Sequence, residues 1–526
     1  MLRNLKNFIV PLLLLLLFTL LILSAVSESR VFDEITHVNA GVGFVVNKDF
    51  RLDPFNPPLA REILAIPAII NKSVLKDPTL FWPRMVSILF TVLLGIVVYL
   101  FAKKLYGKDA GIISLSIFVL EPNILANGHY AQTDLIFTFF YIFSIFAYYL
   151  WRKKFTIRKI IIFGVLTGLL LSTKTTALPF FFLPLTILAI YDYGFKRIFN
   201  KKLFTINLTK ACIFLVTAAL ILWATYFFKF EPMLGLRFDP NRPAIKIAKT
   251  NSFIKFALYQ PLPLGSYIST IKQQLVFNYS GLYRRDSMVL GNVSHNGQSG
   301  LYFLPLILIK IPLEIILLFS LTFFLFKRKV KNNLIIFVPF FSILLLGLLA
   351  NAVIVLRYIL PIIPLAIIYS GQFVNFKHKF KSIFITVLLI LIAIESFSAF
   401  PYYISYINLA LGGNSTGYKY VFDANYDWGQ GLIDLKKYQD KNLITHLNLA
   451  YFGDIKPSLL GLKYNQIFDS ITNYNHYDLS KIVIEKKSTY AISTTCWYLC
   501  GYYKLPDFSS SKIKEVVGGS ILIFNF

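Results

Sequence analysis

The sequence predicts a polytopic α-helical membrane protein ending in a small mixed α/β domain on the extracytoplasmic side. Three observations carry that reading. The 526 residues are 56% hydrophobic and only 15% charged, with a mean hydropathy of +0.63, whereas a soluble chain has about a quarter of its residues charged. Apolar stretches recur that are long enough, at about 1.5 Å per helical residue, for most or all of a hydrocarbon core. Lysines and arginines gather in short clusters between those stretches, as the positive-inside rule expects. The net charge of +27 therefore reads as membrane topology and not as a nucleic-acid surface.

The first stretch, Asn7 to Val26, follows Arg3 and Lys6 and has the outline of a secretory signal. An uncleaved first helix with a cytoplasmic N-terminus is preferred, because a polytopic protein needs no removable signal. Further spans are expected near 83–102, 110–126, 132–150, 159–174, 176–191, 208–228, 301–326, 333–350, 352–371 and 382–400, making about eleven transmembrane helices and thirteen at most. Basic clusters follow the second, fourth, sixth, eighth and tenth of these: Lys103, Lys104 and Lys108; Arg152 to Lys159; Lys196 to Lys202; Lys327 to Lys331; Lys377 to Lys381. All fall on the side of the N-terminus, and an error of one helix would scramble that alternation.

The chain then divides into a membrane module, 1–400, and an extracytoplasmic domain, 401–526. The module has two large outward segments. Loop 27–82 carries Asp33 and Glu34, and segment 229–300 mixes aromatic and polar residues as interfacial helices and loops do. The tail regains ordinary polarity, and LITHLNLAYF, KIVIE, TYAIST and SILIFNF read as strands. Cys496 and Cys500 are close enough in sequence to pair without having to.

No nucleotide-phosphate cradle, nucleophile elbow or zincin motif occurs. An outward-facing group-transfer enzyme would instead need an activated donor that arrives in the membrane. Five features could serve one. Asp33-Glu34 with His37 lies at the lip of the first span, where acids are costly unless they serve something. Asp134, with His129 before it, begins the fourth helix, where the helix dipole alone would also favour an acid. Lys174 sits at the outer end of the fifth helix, and Arg357 about a turn into the tenth; either could simply snorkel. Lys310, halfway into the eighth, should face a cavity or an anion. Carboxylates suit proton abstraction from a hydroxyl, and cations suit a phosphate leaving group.

With these residues in view, the chain resembles the GT-C membrane glycosyltransferases of the protein O-mannosyltransferase-like branch (glycosyltransferase family 39), which includes lipid A aminoarabinose transferases. The likeness rests on the acidic pair followed by His and Gly, NPPLA (Asn56 to Ala60), EPNILANGHYAQTD (Glu121 to Asp134) and the stretch from Gly168 to Lys174. It continues through YFLPLILIKIPL (Tyr302 to Leu313), RYILPIIP (Arg357 to Pro364), FPYYISYINLALGG (Phe400 to Gly413) and DANYDWGQGLIDLKKY (Asp423 to Tyr438). The resemblance implies a polyprenyl-phosphate-linked sugar donor and inverting transfer on the outer face to a protein, lipid or glycan hydroxyl. It makes Asp33 the general base, with Glu34 supporting it or touching the acceptor, and Asp134 the second acid. Lys174, Lys310 and Arg357 become donor-phosphate ligands, with Arg357 and Lys310 favoured by depth. His37, Asn56 and His129 would shape the substrate loop. Asp423, Asn425, Asp427, Trp428 and Gln430 form a patch able to stack on and hydrogen-bond a sugar, although Asp427 equally suits a helix cap.

Two departures stand out. Lys-Pro-Pro of the lipid A branch is Asn-Pro-Pro here, and the Trp-Trp-Asp of oligosaccharyltransferases is missing. Neither lipid A as acceptor nor whole-oligosaccharide transfer to asparagine carries over. No cofactor is certain; His37, His129, Asp33 and Asp134 could converge on a divalent ion, yet their spacing fixes no coordination shell. The rival class is a lipid-linked sugar flippase, which would place polar residues along a full path through the bundle. The sugar and the acceptor are not legible.

Overall fold

In the computed structural model the described residues are 2–50, 52–193, 201–233, 256, 259–279, 287–294, 300–326, 330–350, 355–468 and 484–526. Two prolines set the shape of the bundle. A residue before proline is driven out of the helical region, and both Glu121 (φ −78°, ψ 115°) and Ile311 (φ −101°, ψ 134°) are extended. Helix α5 (Lys108–Leu120) therefore stops, and α6 (Pro122–His129) restarts at 64° to it. Helix α12 (Phe303–Lys310) likewise turns through 111° into α13 (Leu313–Leu325). Sequence patterning makes each pair one span, 110–126 and 301–326.

The remaining helices are α1 (Leu2–Ser27), α2 (Glu34–Val46), α3 (Leu59–Ile70), α4 (Phe81–Tyr106), α7 (Thr133–Lys153), α8 (Ile157–Leu171), α9 (Ala177–Tyr193), α10 (Lys201–Ala224), α11 (Gly265–Tyr279), α14 (Val330–Leu348), α15 (Ile362–Ser370) and α16 (Lys381–Ala399). Each expected span contains helix. By length and composition, however, four helices among the described residues suit a bilayer crossing, or six if each bent pair is one span. The other apolar helices are shorter, and the finer count of about eleven stays an expectation. Within 229–300 the described parts are hairpin β1/β2 (Phe230–Pro232 with Pro261–Pro263), α11, and hairpin β3/β4 (Ser287–Val289 with Asn292–Ser294). The rest of that segment, Lys196 and Arg197, Lys327 to Lys329, and most of the KIVIE stretch lie outside the described residues.

The first loop is a helical hairpin, α2 against α3, laid on α4 and α7. The hairpin closes at Gly41, where a Cβ would collide with the Arg61 carbonyl oxygen. Only glycine allows that approach.

The tail forms α17 (Leu432–Lys441) and a five-stranded sheet of order β6-β5-β7-β9-β8. Its strands are β5 (Leu447–Ala450), β6 (Tyr464–Gln466), β7 (Thr489–Ser493), β8 (Glu515–Val517) and β9 (Ile521–Asn525). Strand β5 runs parallel to β6 and β7, and β9 is antiparallel to β7 and β8. Side chains alternate between faces along a strand. Leu447, Leu449, Ala491, Ile521 and Ile523 pack with Leu432 and Leu435 of α17. Tyr490, Ile492, Leu522 and Phe524 face the other way, into an apolar cluster continuous with the core of the helical bundle. The parts drawn at 400/401 thus share a core.

A buried cation ties them together. Lys310, at the end of α12, donates to the carbonyls of Ile404 (2.8 Å), Tyr406 (2.7 Å) and Asn425 (2.8 Å). Its own carbonyl accepts from Asn123 Nδ2 at the other helix break. Both helix breaks and the start of the tail therefore meet at one residue. Replacing Lys310 by Met leaves three carbonyls without a donor and should cost about 3 kcal/mol or more, read as a lowered unfolding midpoint of the purified protein. Gly41→Ala should cost about 1–3 kcal/mol by pushing α2 off α3, and hydrogen exchange should rise in 34–70 specifically.

Candidate active site

Residues 29–32 reach the site by pairing with the tail. The Ser29 N–H donates to the Gln430 carbonyl (3.1 Å), the Phe32 N–H to the Trp428 carbonyl (3.1 Å), and Ser29 Oγ to the Gly429 carbonyl (2.9 Å). The Phe32 and Phe452 rings stack at 5.3 Å, and Arg30 pairs with Asp454 at 3.2 Å. Burial pushes the Asp454 carboxyl up to about 6. Gly429, at φ +92°, allows the tight turn: a Cβ there would meet Tyr451 Oη at 2.8 Å.

The adjacent acids then part company. Glu34 is fully buried. Its carboxylate takes Arg84 Nε (2.9 Å), Arg84 Nη2 (2.7 Å) and the N–H groups of Val31 (2.8 Å) and Ala131 (2.7 Å). Arg84 also donates to the carbonyls of Ala25, Glu28 and Ser29 and lies 5.2 Å over the Tyr130 ring. A buried bidentate pair with every lone pair used is an anchor, so the expectation that Glu34 touches an acceptor does not fit its position. Asp33 stands at the N-cap of α2 without capping it, and its side chain is 37% exposed.

Asp33 meets Arg357, whose Nη2 donates to Oδ2 at 3.2 Å. Arg357 Nε lies 3.6 Å from Asp134 Oδ2, and Asp134 pairs with Lys174. Two carboxylates thus alternate with two cations drawn from α2, α7, the α8–α9 link and the turn Leu356–Ile359. Each sits at a helix end, where side chains reach a polar layer. The Arg357 guanidinium lies 3.8 Å over the Trp428 ring, and Lys174 Nζ lies 4.9 Å over Tyr358. Asn425 Oδ1 accepts the Leu356 N–H at 3.0 Å, fixing the turn that carries Arg357. Arg357 Nε and Nη1 are buried with no hydrogen-bond acceptor among the described residues.

His37 accepts from Arg61 Nε at 3.1 Å; Arg61 also pairs with Asp53 and donates to the Asn56 carbonyl. Burial, then the nearby Arg61, Arg357 and Lys174 charges, hold His37 well below the usual imidazole range, so it is neutral at pH 7.

Asp33, Asp134, Lys174 and Arg357 are therefore brought together, with Trp428 and His37 beside them. Asp423, in a left-handed conformation (φ 54°), contributes to the field at Arg357. Other expected residues are committed elsewhere. All three Lys310 donors go to carbonyls, which corrects its assignment to a phosphate. His129 is fixed between the Leu125 carbonyl (2.8 Å) and Glu28 (3.0 Å). Asp427 accepts the N–H groups of Thr495 (2.8 Å) and Gly429 (3.3 Å), and burial pushes its carboxyl up to about 6. It anchors the start of helix Thr494–Leu499 and not α17, as a cap reading would have it. Gln430 is held by Trp428 N–H, Ser405 and the Tyr426 carbonyl. Among the described residues no three His, Cys, Asp or Glu side chains gather in a way that could hold a metal ion. The acids of the site are already on cations, so this arrangement does not fit a divalent centre. Sequence reasoning missed Arg84, although a cation in FWPR at the start of a span was visible.

Residues 10–234 match the family model described as dolichyl-phosphate-mannose-protein mannosyltransferase. No curated protein matches the chain. The crystal structure of ArnT from Cupriavidus metallidurans in the apo state is similar over 99% of this chain and 98% of that one, with 12% identity and a TM-score of 0.50. The same protein bound to undecaprenyl phosphate is similar over 98% and 97%, with 12% identity and a TM-score of 0.48. The oligosaccharyltransferase AglB from Archaeoglobus fulgidus, in complex with an inhibitory peptide and a dolichol-phosphate, is similar over 75% of this chain and 55% of that one, with 15% identity and a TM-score of 0.47. The chain thus has the helical membrane fold of ArnT along its whole length, and its N-terminal part resembles the dolichyl-phosphate-mannose-protein mannosyltransferases, as its motifs led one to expect.

Proposed function

We propose that this protein is a glycosyltransferase that moves a sugar from a polyprenyl-phosphate donor to an acceptor hydroxyl on the outer face of the membrane, with inversion. The observation that carries the reading is Arg357: a guanidinium with two buried nitrogens that have no hydrogen-bond acceptor among the described residues, beside a carboxylate that remains accessible. Buried donors without partners destabilise a fold, and phosphate oxygens match a guanidinium's planar fork.

In this reading Arg357 and Lys174 hold the donor phosphate, and Trp428 keeps the guanidinium in plane. Asp33 takes the proton from the acceptor hydroxyl as its oxygen attacks the anomeric carbon. The bond from that carbon to the phosphate oxygen breaks, and polyprenyl phosphate leaves with the electron pair, its developing charge met by the two cations. A phosphate needs no general acid to leave, so the second carboxylate, Asp134, serves to orient Lys174 and Arg357. In this reading the N-terminus is cytoplasmic and the sheet domain lies outside, which the positions of the basic clusters support. A flippase is the poorer reading, because the four charges of the site gather at helix ends and, among the described residues, are not continued as a path through the bundle.

Asp33→Asn should lower transfer from labelled polyprenyl-phosphate hexose by about 10²–10⁴-fold while donor binding persists. Undiminished turnover would remove Asp33 as the base. Arg357→Met should instead abolish binding of polyprenyl phosphate, measured on the purified protein.

A further inference from the structure

A second group of polar side chains lies next to this site and takes no part in it. Tyr226, just past α10, is 2% exposed, and Tyr267 of α11 is 6% exposed. Their rings meet edge to face at 6.4 Å. Among the described residues the Tyr267 hydroxyl and Oε1 of Glu62 on α3 have no hydrogen-bond partner, and the Tyr226 hydroxyl lies against that of Thr270. Tyr226 lies within the electrostatic reach of Tyr267, Glu62 and Arg61, so polar groups from three separate elements converge, two of them with an unpartnered atom. The Phe50 ring, 4.9 Å from that of Tyr226, supplies an apolar wall. The neighbouring Thr270 hydroxyl donates to the Ser266 carbonyl at 2.9 Å.

Buried polar atoms without partners are rare in folded proteins and ask for a ligand or a solvent that completes them. The chemistry of this set selects a neutral polyol. Burial pushes the Glu62 carboxyl up to about 8, so at neutral pH it mostly carries a proton and both donates and accepts. Two phenols do the same, and an aromatic wall suits the C–H face of a sugar ring. Among the described residues the cation in electrostatic reach of Tyr226 is Arg61, and it is engaged by His37, Asp53 and Asn56, so an anion is poorly matched. An apolar chain would leave the Tyr267 hydroxyl and the Glu62 carboxyl unpartnered. The place is also apt: Arg61 feels Tyr226 on one side and Asp33 on the other.

We propose that Glu62, Tyr226 and Tyr267 form the acceptor subsite, and that the acceptor is a sugar residue of a glycan. This rests on the transferase reading above. The test supplies labelled polyprenyl-phosphate hexose to native membranes containing the protein and follows both label transferred to acceptor and free sugar released to water. The double variant Tyr226→Phe/Tyr267→Phe keeps the packing and removes the hydroxyls; Glu62→Leu is the second variant. Each should cut transfer to glycan by tenfold or more, with a raised acceptor KM. Donor KM and release to water should stay at the intact protein's level, showing that fold and donor site persist. Transfer by both variants at the intact rate overturns the subsite, and so does label arriving on peptide or on a lipid without sugar. An intact protein that neither transfers nor hydrolyses overturns the transferase reading, and this inference with it.

Discussion

The guanidinium of Arg357 stacks on Trp428 at 3.8 Å and is the centre from which the site is arranged. It touches Asp33, approaches Asp134, and through Asp134 is coupled to Lys174. A charge in this setting is tolerable only because two carboxylates and an indole face surround it. Their geometry leaves Nε and Nη1 without a hydrogen bond among the described residues. The arrangement is electrically balanced and still incomplete in hydrogen bonds, which suits a site that receives an anion.

The loop 423–430 holds both halves of that arrangement. Asn425 accepts from the residue before Arg357, and the Trp428 carbonyl accepts from the residue before Asp33. Lys310 clamps the same loop from inside the bundle, through the Asn425 carbonyl. The sheet domain is thereby part of the site's frame, because the loop that leads into it sets the distance between base and cation. Asp427 extends the connection by bonding the Thr495 N–H at the start of the helix after β7.

Much of this was legible in the sequence, for a physical reason: a charge at the end of an apolar helix stands out against its surroundings. Asp33, Asp134, Lys174 and Arg357 were found that way. Lys310 carried the same signal and was misread, since depth in a helix shows that a cation needs partners but not whether they are phosphate or carbonyl oxygens. Asp33 and Glu34 could not be told apart by pattern, because one step along a helix turns a side chain by about 100°, here from the site into the Arg84 pocket. The breaks at Pro122 and Pro312 follow from the pre-proline rule, yet hydropathy read straight across them. The pairing of 29–32 with 428–432 joins residues some 400 positions apart and leaves no local trace. TYAIS and ILIFN stand out as short, mainly apolar runs buried on both faces, whereas β6 and β8, three residues each, are too short to stand out.

The most direct test of the central claim is an experimental structure of this protein with polyprenyl phosphate bound. Phosphate oxygens are expected within hydrogen-bond distance of Arg357 Nε or Nη1 and of Lys174, with Lys310 still on its three carbonyls. A phosphate seated on Lys310, or one that leaves Arg357 without an anion, would contradict it.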